Sequence, residues 1–192
     1  RAQCPDGTPP PCAGQRRAVP RSAPPAPAAR ARTFLLLPFR NVTRVEAQDW
    51  LEAGAPLLLA DALGQFRDLT VVSDERLLAA RRRLGLAEGA APDATQLRRL
   101  AEETGGWTTV SGNVFATGAR LRIGAQALDA VTGNVLVRAE VEVAADADVR
   151  PAFDRLAVRL LEVAGLPPQT SDVAALTTRS LDAYRAYVRG MT

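Results

Sequence analysis

Cys4 and Cys12 are the two side chains whose type and spacing point most directly to covalent chemistry. They bracket Pro5-Asp6-Gly7-Thr8-Pro9-Pro10-Pro11. In an oxidising compartment, two cysteines in so turn-rich a stretch close a small disulfide ring. In a reducing one they remain unpaired surface thiols. A zinc site would need further ligands, and the chain has no third Cys and no His. Arg1-Ala2-Gln3 before Cys4 does not read as a lipoprotein processing site either, because Arg stands where such a site carries a Leu-like residue.

The remaining candidates are charged. All 24 basic residues are arginine, and Lys and His are both absent. That removes the commonest general base, a lysine Schiff base, the lysine of a phosphate-binding loop and every His-containing metal site. Asp146 and Asp148 form an acidic pair that could hold a cation, but capping of the helix after them is the simpler account. Arg81-Arg82-Arg83 falls on a last helical turn, where cations suit the macrodipole and need no bound anion. No two carboxylates flank a legible pocket. No catalytic, cofactor-binding or metal-binding residue is therefore assigned, no cofactor is expected, and no small-molecule ligand is identifiable. The expectation is a module that is not an enzyme.

Charge distribution narrows the partners. The net charge is +3, yet residues 1–32 carry six Arg against one acid, Asp6, a net of +5, while the other 160 residues carry 18 Arg and 20 acids, a net of −2. The part that folds is near neutral and shows no aromatics interleaved with its arginines, so nucleic acid is not the expected partner. Nor is there a run of about 18 apolar residues able to span a membrane. The chain begins with Arg and ends at Met191-Thr192. It reads as a piece of a longer protein, with a membrane association expected only through an anchor upstream of Arg1.

The elements that would position these groups centre on Trp107 to Val143. Three strands are expected there, Trp107–Ala116, Arg120–Ala130 and Asn134–Val143, with turns at Thr117-Gly118 and over Asp129 to Gly133. In the second, Leu121, Ile123, Ala125 and Ala127 alternate with Arg120, Arg122, Gly124 and Gln126. In the third, Val135 to Val143 alternate with Asn134, Leu136, Arg138, Glu140 and Glu142. Strict alternation of this kind marks an antiparallel meander with one buried and one wet face. Arg120, Arg122, Arg138, Glu140 and Glu142 on the wet face lie within reach of cross-strand pairing. They are either a solubilising surface or a docking face for a protein partner.

Upstream, residues 1–32 hold eight of the 14 prolines and are expected as a disordered, Arg-rich stalk. Thr33 to Phe39 reads as a strand buried on both faces, with Pro38 at its end. A helix is expected from Ala55 with Pro56 in its first turn, then a strand over Leu69–Val72. Ser73 caps a helix to Leu84. Asp93 and Gln96 form a capping box opening a helix to Thr104, which Gly105-Gly106 ends. After the meander comes a helix with Pro151 in its first turn, then a linker over 166–177. The amphipathic segment Ser180–Arg189 presents Leu181, Tyr184 and Val188. The order β-α-β-α-α-β-β-β-α implies a mixed α/β (α+β) domain over 33–165. Its sheet is mixed, ends in the antiparallel meander and carries helices mainly on one face.

These stretches resemble the amino-terminal domain of TolB and related bacterial modules. The resemblance rests on Leu37-Pro38-Phe39-Arg40-Asn41, Asp49-Trp50-Leu51 with Gly54, and Gly106-Trp107 with Gly112. Leu121-Arg122, Leu128-Asp129 and Thr132-Gly133 complete it. Gly-Ala-Pro at 54–56 departs from that pattern and is expected to shorten the helix start. Ser180 to Gly190 resembles the first helix of a tetratricopeptide array, so 178–192 would be a truncated repeat whose apolar face needs a cover. The resemblance implies an anticodon-binding-like fold without known catalysis, in large regulators and transmembrane serine/threonine kinases. The leading expectation is a periplasmic or otherwise extracytoplasmic sensor or protein-interaction domain of a membrane-anchored signalling protein. Its partner would be another protein or an adjacent repeat array. The alternatives are an interaction domain of a cytoplasmic transcriptional or cyclase-type regulator and, more remotely, a nucleic-acid-binding module.

Overall fold

The computed structural model describes residues 23–43, 45–87, 90–167, 170–178 and 180–191. The expected meander is three ten-residue strands, β4 (Thr108–Thr117), β5 (Arg120–Asp129) and β6 (Val135–Ala144), paired antiparallel in that order. Gly118 and Gly133 occupy the turns with φ of 60° and 74°, where a Cβ would be strained. The register aligns Val114, Ile123 and Val141 across the three strands, and all three are buried. Pairing slips once: Val137 faces Ala127 but Val135 faces Leu128, so Leu136 is an extra residue in β6. Val135 and Leu136 are both exposed there, at 42% and 43%.

The amino-terminal half adds parallel strands. β1 (Thr33–Leu36) lies between β4 and the short β3 (Thr70–Val71), parallel to both, giving the order β3-β1-β4-β5-β6. β1 alternates within a doubly buried strand. Phe34 and Leu36 join the main core, while Leu35 and Leu37 join a second cluster on the opposite face. Pro38 interrupts the strand, as a residue without an N–H must. Leu37 N still donates to Val110 O at 2.8 Å, but Phe39 N turns away, and pairing resumes only at β2 (Arg40–Asn41) beside Asn113 and Val114.

That interruption explains why the next helix does not start where Pro56 placed it. A single 3-10 turn at Glu46–Gln48 leads into α2 (Leu51–Gly64), which begins four residues before Ala55 and carries Pro56 inside it. Pro56 cannot donate to Glu52 O, one turn back. The freed carbonyl accepts the Phe39 N–H at 3.2 Å instead, so one defect satisfies the other. Gly54 does not shorten the helix either: its bare backbone makes room for the Trp50 ring, which a Cβ would meet at 2.6 Å.

α2 packs with α5 (Arg150–Leu161) on the buried face of the sheet, through Leu58, Leu59 and Leu63 on one and Phe153, Leu156 and Leu160 on the other. On the opposite face α3 (Asp74–Leu84) and α4 (Ala94–Thr104) cover Leu35 and Leu37 with Leu77, Ala80 and Leu100. Ser73 accepts from Arg76 N, and Asp93 and Gln96 cap each other reciprocally. The result is a mixed α/β fold with a mixed six-stranded sheet.

Both margins carry structure. Within the segment expected as a stalk, α1 (Pro27–Arg30) ends in Arg30, which pairs with Asp129 at 2.9 Å, and its carbonyl accepts from Thr33 and Thr108 hydroxyls. Within 166–177, expected as a linker, α6 (Val173–Leu176) buries Val173 completely. Its approach is held by Gln65 Nε2 to Ser171 Oγ at 3.0 Å and by Asp154, which accepts from Ser171 and from Val173 N. Partners outside the segment, Gln65 just past α2 and Asp154 in α5, provide this order.

Candidate interaction surfaces

With α2, α5 and α6 committed to the apolar side, the other face of the meander is open beyond α3 and α4. Arg122 faces Glu142 directly in register and donates to it from Nε and Nη2 at 3.1 and 2.8 Å. Arg122 also reaches Glu140 at 3.2 Å, and Arg120 reaches Glu142 diagonally at 3.2 Å. Hydrogen bonding from Arg122 is the main reason the Glu142 carboxyl is held below its ordinary value. These side chains are well exposed, so the network fixes the pattern of charge more than it stabilises the fold. Arg138 has no ion pair among the described residues and lies opposite Gln126 instead. It leaves a positive site at one end of an otherwise paired strip.

Two neighbours not singled out from the sequence complete the face. Phe115, 37% exposed, lies directly across from Arg122 on β4. Arg40 sits beside Asn113 in register, and a Cβ on Gly124 would meet Asn113 Oδ1 at 2.9 Å, so Asn113 covers the middle of the strip. Period-two alternation could have placed Phe115. Arg40 depends on the parallel pairing of β2, for which a dipeptide gives no signal.

The last helix, α7 (Leu181–Met191), does not present its apolar stripe to solvent. Tyr184 and Val188 are 6% and 1% exposed, with Leu181 packed beside them, and α2 supplies the cover. Trp50 meets Tyr184 edge-on at 6.4 Å, and the Arg185 guanidinium lies 5.4 Å over the Trp50 ring. Burial, with the nearby Asp61 charge, pushes the Tyr184 hydroxyl above its ordinary value.

Asp148 and Arg81 have structural partners, while Asp146 is exposed. Asp148 Oδ1 accepts from Arg150 N at 3.0 Å, and both Asp148 oxygens bind the Arg150 guanidinium, so this acid serves the start of α5. Among the described residues no group of three His, Cys, Asp or Glu is placed to hold a metal ion. Arg81 is buried and ties the following loop through Ala87 O and Ala90 O, whereas Arg82 and Arg83 are exposed. Cys4 and Cys12 lie outside the described residues. No helix among the described residues is long and apolar enough to cross a membrane.

The architecture defines a class: a small mixed-sheet domain, parallel at one end and an antiparallel meander at the other. No family model matches the chain, and no curated protein matches it by sequence. Among solved structures it is similar to the LpoB C-terminal domain from Escherichia coli, at 19% identity over 59% of this chain and 83% of that one, TM-score 0.51. It is also similar to lipoprotein GNA1162 from Neisseria meningitidis, at 14% identity over 69% of this chain and 96% of that one, TM-score 0.51. TolB from Acinetobacter baumannii aligns at 17% identity over 70% of this chain and 28% of that one, TM-score 0.46. At these identities the likeness is one of fold.

Proposed function

We propose that this chain is a protein-interaction or sensor domain, not an enzyme, working on the extracytoplasmic side of a bacterial membrane within a larger anchored signalling protein. The observation that carries this reading is the open face of the meander. It is a rigid strip of fixed charge, bordered by Phe115 and by Arg138, which is unpaired among the described residues, and the described helices α2, α5 and α6 pack on the other side. Charged strips of this kind contribute specificity and association rate more than stability. The Neisseria neighbour is a lipoprotein, and a comparable setting here would keep a Cys4–Cys12 ring oxidised. A serine/threonine kinase as the parent protein, and a repeat array continuing from α7, rest on the sequence resemblance alone.

The test is charge reversal. Proteins retained by the immobilised domain from bacterial envelope extract are purified, and each is titrated against wild type and an Arg122→Glu/Arg138→Glu variant. A partner using this face should bind the variant at least about tenfold more weakly, and its wild-type affinity should fall as salt rises. Equal affinity for both proteins, with unchanged melting temperature, would mean the strip is merely solvated.

A further inference from the structure

A cleft of about 970 Å³ opens at the carboxyl end of β1, away from the open face of the meander. Its floor is apolar, with Leu36 and Pro38 from the first strand, Pro56 and Leu57 from α2 and Leu77 from α3. Its rim is acidic: Glu46 and Asp49 come from the 3-10 turn, Glu52 from the first turn of α2 and Asp74 from the first turn of α3. Among the described residues Arg189 is the one cation in the lining.

The amino ends of α2 and α3 account for Glu52 and Asp74 individually, since carboxylates are favoured there. They do not account for four carboxylates converging on one cavity from three elements. Among the described residues none of the four is in an ion pair. Asn41 holds two of them in place, its Nδ2 donating to Asp49 Oδ1 at 2.7 Å and its backbone N to Glu52 Oε1 at 3.0 Å. One further group is left over. Trp50 also lines the cleft, is 4% exposed, and its indole Nε1 has no acceptor among the described residues. A buried donor without a partner is costly enough to call for one.

We propose that this cleft docks a basic segment of a partner protein, with two or more Arg or Lys side chains set around an aliphatic or proline residue. The cations meet the acidic rim and the apolar side chain meets the Leu36–Leu57–Leu77 floor. A free polyamine would satisfy the rim but not the floor. The volume, at the upper end of the roughly 300–1,000 Å³ of ligand pockets, suits a short peptide.

A phage-displayed random heptapeptide library panned against the whole chain tests this directly. Enriched sequences should carry at least two basic residues around an apolar one. A synthetic copy of the most enriched should bind a Glu46→Gln/Asp74→Asn variant about tenfold or more weakly than wild type, with melting temperatures compared as a control. Three results would each overturn the proposal: enrichment without basic residues, equal affinity for both proteins, or complete displacement of the peptide by equimolar spermidine. The Arg122→Glu/Arg138→Glu variant should bind the peptide as wild type does, so this site and the open face succeed or fail separately.

Discussion

Gly112→Ala is expected to destabilise the domain by about 3 kcal/mol, at the upper end of what overpacking a core costs. The backbone at Gly112 is not the reason, because it does not adopt a positive φ. Space is. A Cβ there would stand 2.2 Å from Phe39 Cε2 and 2.4 Å from Gly124 O. Gly124 O is backbone in the middle of the sheet, and Phe39 is 2% exposed and hemmed in by Phe153, its ring centroid 6.5 Å away. Neither neighbour can retreat without opening the sheet or the core. Gly64→Ala provides the contrast, since nothing lies within 4 Å of a Cβ placed at that helical position. It should be neutral or stabilising by up to about 1 kcal/mol. Urea unfolding of the three proteins checks the pair, and a Gly112→Ala midpoint matching wild type would refute the steric account.

Arg150→Met should cost about 2–3 kcal/mol at neutral pH and should also flatten the acid limb of the stability curve. Arg150 is 4% exposed and ties the start of α5 to the stretch that follows α6. Nη2 meets Asp148 Oδ2 at 2.6 Å, and Nη1 donates to Thr177 Oγ1 at 3.3 Å and to Thr178 O. Met keeps the apolar stem and removes the charge. Hydrogen bonding from Arg150 is the largest influence on Asp148 and holds its carboxyl below the ordinary value. A carboxyl depressed by folding stabilises the native state above its unfolded pKa, about 3.9. That contribution is lost as pH falls through the lower, native value. Asp129 acts in the same direction: burial alone would raise it, but the N–H groups of Thr132 and Val131 and the Arg30 side chain together outweigh that. The stability difference between wild type and Arg150→Met should therefore be full at pH 7 and shrink below about pH 4. Urea titrations across that range measure it, and a difference independent of pH would remove Asp148 from the account.

Much of this fold is local and for that reason legible. The meander declares itself by alternation, and Ser73 and the Asp93–Gln96 box bond within one turn of their own helices. The misplaced start of α2 has the opposite cause. Pro56 looks like a first-turn residue unless one knows that Phe39, 17 positions earlier, will use the carbonyl it frees. The order within 170–177 likewise depends on Gln65 and Asp154, and the cover over Tyr184 on a helix more than 100 residues upstream. Glu46, Asp49, Glu52 and Asp74 are ordinary acids in the sequence; only the meeting of three elements makes them a rim.

The placement of β1 sets an order of assembly. β4, β5 and β6 are neighbours in sequence joined by short turns, so they can zip together without closing a large loop. β1 reaches β4 only across a separation of more than 70 residues, through which β3, α3 and α4 must already be threaded. Contacts that distant raise the entropic barrier and form late. The hairpins should thus acquire amide protection first in pulse-labelled refolding, with Leu37 and Val42 following. Simultaneous protection would show instead that the parallel pairing belongs to the nucleus. A chain in which β1 has not yet docked would leave its strand TFLL, and the flank of β4 that receives it, unpaired side by side in one molecule. Two such molecules could exchange those strands, so slow folding at high concentration is the condition under which this domain would dimerise by swapping its first strand.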